Sequence, residues 1–189
     1  MLNVTMESLK AIFVEEINNI QDWGGYNVVL KDEPSFLDSL MALGKGAGAS
    51  GVGIGGMTKP DFKLVEFCIQ SNLESIKSGI GKVVLGDSFI SKMLRLLIYK
   101  TTDAEKALRK MVRQLVQHEN RHVHQFNWLM QHPEIVDFME VIEAEKKSLY
   151  GMGALEKDAY RFQRNEKHVP FEKVFKKFLK PAMAGSTIK

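Results

Sequence analysis

One long helical pattern, in residues 102–126, constrains the fold more than any other feature of the sequence. Thr102 stands three positions before Glu105, which is the spacing of a capping box at the start of a helix. Apolar side chains then recur at intervals of three and four, at Ala104, Leu108, Met111 and Leu115. This spacing predicts an amphipathic helix whose apolar side packs against other elements of the chain.

The same spacing leads from these apolar residues to two histidines. Beyond Leu115 it reaches His118, His122 and Phe126, so both histidines are expected to point inward. His124 falls nearly opposite His122 on a helix and is expected to stay outside any site that the pair forms. The polar residues that fall mainly on other sides of the helix are Arg113, Gln117, Asn120 and Arg121.

The inward pair belongs to the sequence HENRH, which has the spacing of a metal site. Residues four apart are neighbours on a helix, so His118 and His122 can present two imidazole nitrogens to one zinc ion. Glu119 lies about 100° round the helix, where its carboxylate can take a proton from a water beside the metal. The alternative is a helix whose polar groups satisfy each other, with Glu119 paired to Arg121 or to a nearby lysine.

A catalytic zinc site needs a third protein ligand as well as one open position. The residues open for this role are His132, His168, Glu143, Glu145 and Glu156. Glu156 is the strongest of them, because it begins a helix-like stretch in which the small Ala159 follows three residues later.

These residues resemble a known family. HENRH, with Glu156-Lys-Asp-Ala-Tyr 34 residues after His122, resembles the gluzincin metallopeptidases, whose second helix carries a glutamate ligand. HENRHVHQ with LYGMGALEKDAYRFQ is also similar to small metallopeptidase-like proteins of phages and mobile elements. The resemblance covers residues 103–165 and implies a zincin-like core there.

The resemblance implies a metal site and an activity. His118, His122 and Glu156 would bind zinc (Zn²⁺), and Glu119 would be the general base. The expected function is a zinc metallopeptidase that hydrolyses peptide bonds in a peptide or protein substrate. The alternative is a structural component of a phage particle with an inactive, peptidase-like fold.

Four more residues receive roles from the resemblance. Asp158 and Asn120 would orient the ligand imidazoles through their second ring nitrogens. Tyr160 or Tyr150 would stabilise the oxyanion that forms during hydrolysis.

Outside this region the sequence predicts a mixture of helices and short strands. Thr5 is expected to cap a helix over residues 5–20, and a second helix is expected over residues 60–79. Strands are expected at 26–30 and 82–90. The glycine-rich stretch 44–57 holds seven of the fifteen glycines, lacks the lysine of a phosphate-binding loop and is expected to be flexible.

The expected fold is therefore one α+β domain over residues 1–189, mostly helical, with a short sheet beside the HENRH helix. The net charge of +3 includes 23 acidic residues, so nucleic acid is not an expected partner. No stretch approaches the roughly 18 apolar residues of a membrane span, and the N-terminus lacks a signal-peptide pattern. The single cysteine, Cys68, excludes an internal disulfide, and the expected location is the cytoplasm or a virion.

Overall fold

The structure, a computed structural model, describes residues 2–33, 56–147, 153–165 and 170–176. The helices are α1 (Met6–Asn18), α2 (Ile69–Lys77), α3 (Gly79–Leu85), α4 (Phe89–Tyr99), α5 (Ala104–Gln131), α6 (Phe138–Lys147), α7 (Ala154–Asn165) and α8 (Phe171–Val174). The strands are β1 (Asn27–Lys31), β2 (Gly56–Lys59) and β3 (Leu64–Cys68). The described chain is mostly helical with one small sheet, which confirms the expected α+β class.

The chain forms two compact units. The first comprises Met1–Gln21 and Asn27–Val116, and the second comprises Asp22–Tyr26 and Gln117–Lys189. Helix α5 therefore belongs to the first unit up to Val116 and to the second from Gln117 onward. The single domain expected from the chain length stays a prediction.

In the first unit, α1 begins as its sequence predicts. Thr5 and Ser8 form a reciprocal capping box, in which each side chain accepts a hydrogen bond from the other residue's backbone N–H. Leu9 and Phe13 are completely buried, and the Phe13 ring lies 5.4 Å from the ring of Phe67 on β3. The apolar side of α1 therefore forms part of the core of this unit.

The sheet has the strand order β1-β3-β2, with β1 parallel and β2 antiparallel to β3. Strand β1 confirms the strand expected at 26–30. The loop expected at 44–57 lies outside the described residues, apart from Gly56 and Met57, which begin β2.

The helix expected over 60–79 is wrong in its first half. Pro60 to Phe62 form one 3-10 turn, which ends at Lys63 with a left-handed φ of 45°, and β3 follows. Val65 and Phe67, which share one face of β3, are completely buried, whereas Phe62 in the 3-10 turn is exposed. The short apolar run fits the spacing of a helix and of a strand equally well. The left-handed turn at Lys63 ends the helical conformation, so the residues after it form a strand.

The strand expected at 82–90 is also wrong. These residues form the end of α3 and the start of α4, with a turn at Gly86 to Ser88. Ser88 accepts a hydrogen bond from the backbone N–H of Ser91 and so caps α4. The β-branched Val83 and Val84 favour a strand locally, but here they lie in a helix.

The second unit has its own apolar core. Its members come from α5 to α8, from the connection before α6 and from the C-cap of α8, namely Phe126, Leu129, Val136, Val141, Leu155, Phe171, Val174 and Phe175. Helix α5 ends at Gln131, two residues before Pro133, as that proline predicts. In the part of the chain that the structure describes, no helix has both the length and the apolarity needed to cross a bilayer.

The segment Asp22–Tyr26 lies against α5 in this unit. Asn120 Nδ2 donates to the carbonyl of Asp22 at 2.8 Å, and Asn127 Nδ2 donates to the carbonyl of Gly24 at 2.9 Å. Gly24 has a φ of 57°, and a Cβ there would collide with Asn127 and Val123. Glycine is therefore the residue that lets this segment approach the helix.

Candidate metal centre

The HENRH sequence lies in the middle of α5, within the second unit, and its side chains are buried. His118 and His122 are both buried, as the apolar spacing predicts. The burial extends further than one side, because every residue from His118 to Val123 is buried, including Asn120 and Arg121. The expectation that Asn120 and Arg121 lie on a polar side is wrong, since α7 and the segment Asp22–Tyr26 cover those sides.

Glu156, in the first turn of α7, completes a group of three potential ligands with the two histidines. The Nε2 atoms of His118 and His122 are 3.1 Å apart. The Glu156 carboxylate oxygens lie 3.3 Å from His118 Nε2 and 3.4 Å from His122 Nε2. The two glutamate distances are from different oxygens, Oε2 to His118 and Oε1 to His122. One ligand atom from each of the three residues lies within 4.8 Å of the other two, so the group could hold a metal ion.

Two glutamines orient the imidazoles. The Oε1 atom of Gln163 lies 3.0 Å from His118 Nδ1, and the Oε1 atom of Gln125 lies 2.7 Å from His122 Nδ1. An amide oxygen only accepts hydrogen bonds, so each Nδ1 carries the proton. Each Nε2 atom then faces Glu156 and the other histidine, where it can carry either a proton or a metal ion.

A buried network holds Gln125 in place. Gln125 Nε2 donates to Asp158 Oδ2 at 2.8 Å and to the carbonyl of Leu155 at 3.0 Å. Asp158 Oδ2 also accepts from Arg121 Nε at 2.7 Å. The guanidinium of Arg121 lies over the rings of Phe162 and Phe171. The network therefore connects the motif helix to α7 beneath the histidines.

The roles expected for Asp158 and Asn120 are consequently wrong. Asp158 reaches the imidazole of His122 only through Gln125, and Asn120 binds the backbone of Asp22. Gln125 and Gln163 take the orienting positions instead. Gln125 lies three residues after His122, one helical turn along, which is a spacing that the sequence does show.

The histidines and the carboxylates close to them shift each other's pKa values. Burial alone would lower the pKa of His122, but the hydrogen bond to Glu156 and the charges of Glu119 and Glu156 raise it to about 9. Burial would raise the pKa of Glu156, but the hydrogen bonds from His118 and His122 hold it well below its ordinary value. A proton and a divalent cation would therefore compete for the same Nε2 atom of His122.

Glu119 and Tyr160 lie close to this group. Glu119 is buried, and its charge acts on both His122 and Tyr160. The Tyr160 ring lies 4.8 Å from the His118 ring. Burial, Glu156 and Glu119 raise the pKa of the Tyr160 phenol, so it keeps its proton and is able to donate a hydrogen bond.

The other residues considered for the site have different positions. Among the described residues, the potential metal ligands that come together are His118, His122 and Glu156, and the group does not include His124. His132 Nδ1 donates to the carbonyl of Trp128, Glu143 is exposed, and Glu145 accepts hydrogen bonds from the first backbone N–H groups of α7. Tyr150 and His168 lie outside the described residues.

Comparisons of the chain with protein-family models, with curated proteins and with solved structures found no match.

Proposed function

We propose that this protein is a zinc-dependent metallopeptidase, with His118, His122 and Glu156 as the metal ligands. The observation that supports this most is the close approach of their ligand atoms, at 3.1 to 3.4 Å, with both Nδ1 atoms bound to glutamine oxygens. Two imidazoles and one carboxylate form the ligand set of many zinc peptidases, and it leaves one position open for water or substrate. The zincin-like core implied by the resemblance is part of the same proposal.

His118, His122 and Glu156 would hold the zinc ion, which would supply Lewis-acid chemistry that makes a water acidic and polarises a carbonyl group. Glu119 takes the proton from the attacking water as general base and returns it to the leaving nitrogen as general acid. Because Glu119 is buried beside the histidines, its carboxylate acts in a medium where charges are weakly screened.

Tyr160 has the next role. Its phenol keeps its proton and donates a hydrogen bond to the oxygen that becomes negative as the peptide carbonyl is attacked. The substrate is a peptide or protein, in the cytoplasm or in an assembled viral particle.

The first experiment is metal analysis of the purified chain and of matched histidine variants. His122→Ala removes one of three ligands and is expected to abolish near-stoichiometric zinc, whereas His124→Ala, two residues along the same helix, retains it. Zinc that persists in His122→Ala, or no zinc in the unaltered chain, would contradict the metal site.

The second experiment separates metal binding from catalysis. Glu119→Gln is expected to keep the zinc and to reduce hydrolysis of a denatured protein substrate by at least about a hundredfold. Unchanged hydrolysis in this variant would remove Glu119 from the mechanism. A zinc-loaded chain that hydrolyses no peptide, and assembles with a phage particle, would favour the structural alternative.

A further inference from the structure

Helix α4 buries its polar side and exposes its apolar side, the reverse of most amphipathic helices. The residues it buries are Ser91, Arg95 and Tyr99, which recur every four residues along one side. The large apolar side chains that it exposes are Phe89, Ile90, Met93, Leu96, Leu97 and Ile98. Most surface helices bury their apolar side, so this orientation needs a specific cause.

Arg95 provides that cause. Its side chain is only 2% exposed, and its Nη1 donates to the carbonyls of Val84 and Gly86 at 2.6 and 2.5 Å. Its Nε donates to the carbonyl of Thr102 at 2.8 Å. Three hydrogen bonds from one buried cation fix the polar side of α4 inward, and the apolar side faces outward as a result.

The outward side is a continuous stripe. At 100° per residue, the side chains of Phe89, Ile90, Met93, Leu96 and Leu97 fall within about 120° of the helix circumference, opposite Arg95. Each of these five residues is at least 46% exposed, and a contiguous exposed apolar patch of this kind often marks an interaction site. We refer to these five residues as the α4 stripe.

The charges on α4 indicate what covers the stripe. The helix contains no acidic residue, and Lys92 on it and Lys100 at its C-cap are both exposed. A second copy of α4 would add the same positive charges and no acidic partner for them. A surface of anionic lipid attracts the lysines and receives the apolar side chains at the same time.

We propose that the α4 stripe is a membrane-docking surface, on which the protein lies with α4 in the headgroup region of an anionic bilayer. Phe89, Ile90 and Leu97 enter the acyl boundary, and Lys92 and Lys100 contact lipid phosphates. This surface is independent of the metal centre, because none of its residues belongs to the ligand group or to the residues that orient it.

The test uses the full chain and sedimentation with vesicles of phosphatidylcholine, with and without phosphatidylglycerol. Binding to the anionic vesicles is expected, and it should weaken as salt is added. Met93→Glu should lower this binding at least about tenfold, because it places a charge in the apolar stripe. Met139→Glu is the matched control, since Met93 and Met139 are 51% and 56% exposed and only Met93 lies on α4.

Three further measurements distinguish a membrane from other partners of the stripe: vesicle preference, oligomeric state and melting temperature. The double variant Lys92→Gln/Lys100→Gln should reduce the preference for anionic over neutral vesicles. The proposal is overturned if the unaltered chain binds neither vesicle, or if the Met93→Glu and Met139→Glu variants bind equally. A dimer that dissociates in Met93→Glu, without vesicle binding, would identify a second copy as the partner. A melting temperature that falls in Met93→Glu much more than in Met139→Glu would show that the chain itself covers the stripe.

Discussion

At the scale of single residues, two neutral amides control the candidate metal centre. Gln125 and Gln163 each accept the Nδ1 proton of one histidine, where a carboxylate is a common partner in zinc sites. A carboxylate in that position would add negative charge beside Glu119 and Glu156. The glutamines therefore orient the imidazoles without raising the charge of a region that already holds two carboxylates.

Replacing Gln163 tests this role. Gln163→Leu removes the acceptor for His118 Nδ1 and is expected to weaken zinc affinity about 10- to 100-fold, measured by competition with a chromogenic chelator. Gln163→Glu keeps an acceptor and should retain the affinity. Equal affinities in the chain with Gln163 and in Gln163→Leu would show that the contact does not orient the ligand.

Glu66 gives a prediction for the pH dependence of stability. Burial alone would raise its pKa, but hydrogen bonds and charges from Lys31 and Lys59 lower it below the ordinary value of 4.5. A carboxyl group with a lowered pKa in the folded state stabilises the fold above its unfolded pKa, and this stabilisation is lost as the pH falls through the folded pKa. Glu66→Gln should therefore lower the free energy of unfolding at pH 7 by about 1–3 kcal/mol.

Urea unfolding at a series of pH values measures this effect. The difference in unfolding free energy between the unaltered chain and Glu66→Gln should shrink once the pH falls below the unfolded value near 4.5. A difference that stays constant down to the acid limit would mean that the ionised form of Glu66 contributes nothing.

At the scale of elements, the pairing of α5 with α7 depends on a buried ion pair. Arg121 is 1% exposed, its Nε donates to Asp158 Oδ2 at 2.7 Å, and its guanidinium lies within 6 Å of the rings of Phe162 and Phe171. Such a pair is costly to break from one side, because the remaining charge stays buried. Its position couples the packing of the two helices to the geometry of the three potential ligands.

Arg121→Met is therefore expected to lower the free energy of unfolding by about 3–5 kcal/mol in denaturant titrations. Adding Asp158→Asn should recover part of this loss, because it removes the unpaired charge. If the losses from Arg121→Met and Asp158→Asn simply add in the double variant, the two residues do not act as a pair.

The contact of the segment Asp22–Tyr26 with α5 can be tested at two neighbouring glycines. Gly24 and Gly25 both have positive φ, but only at Gly24 would a Cβ meet other side chains. Gly24→Ala should cost about 1–3 kcal/mol more than Gly25→Ala in thermal or urea unfolding. Equal losses would mean that backbone conformation alone, and no close approach, requires the glycine.

At the scale of the whole molecule, the sequence predicted the structure best where a regular spacing of apolar residues extended over many residues. The spacing from Leu108 to Phe126 predicted a buried histidine pair, and the Thr5 cap and the strand at 26–30 were also confirmed. It failed at residues 60–68 and 82–90, where short apolar runs fit a helix and a strand equally well. The orienting glutamines and the burial of Arg121 were missed, because tertiary contacts with α7 determine them.

The two compact units allow a prediction for hydrogen exchange. The three potential ligands all lie in the second unit, so zinc at a hundred times its dissociation constant should slow exchange of the slowest amides in α7, and in α5 from Gln117 onward, about 100-fold. Amides of β1 and β3, in the first unit, should change much less. Equal slowing in both units would mean that the chain unfolds as one cooperative domain.

The contacts of Asn120 and Asn127 can form only after most of the chain has been translated. They join residues 98 and 103 positions apart, since the partners are the backbone carbonyls of Asp22 and Gly24. At about 5–20 residues per second, the segment Asp22–Tyr26 waits roughly 5–20 s for its helix to be translated. A fragment beginning at Gln117 would lack that segment, so the complete second unit cannot be obtained by truncation from the N-terminus alone.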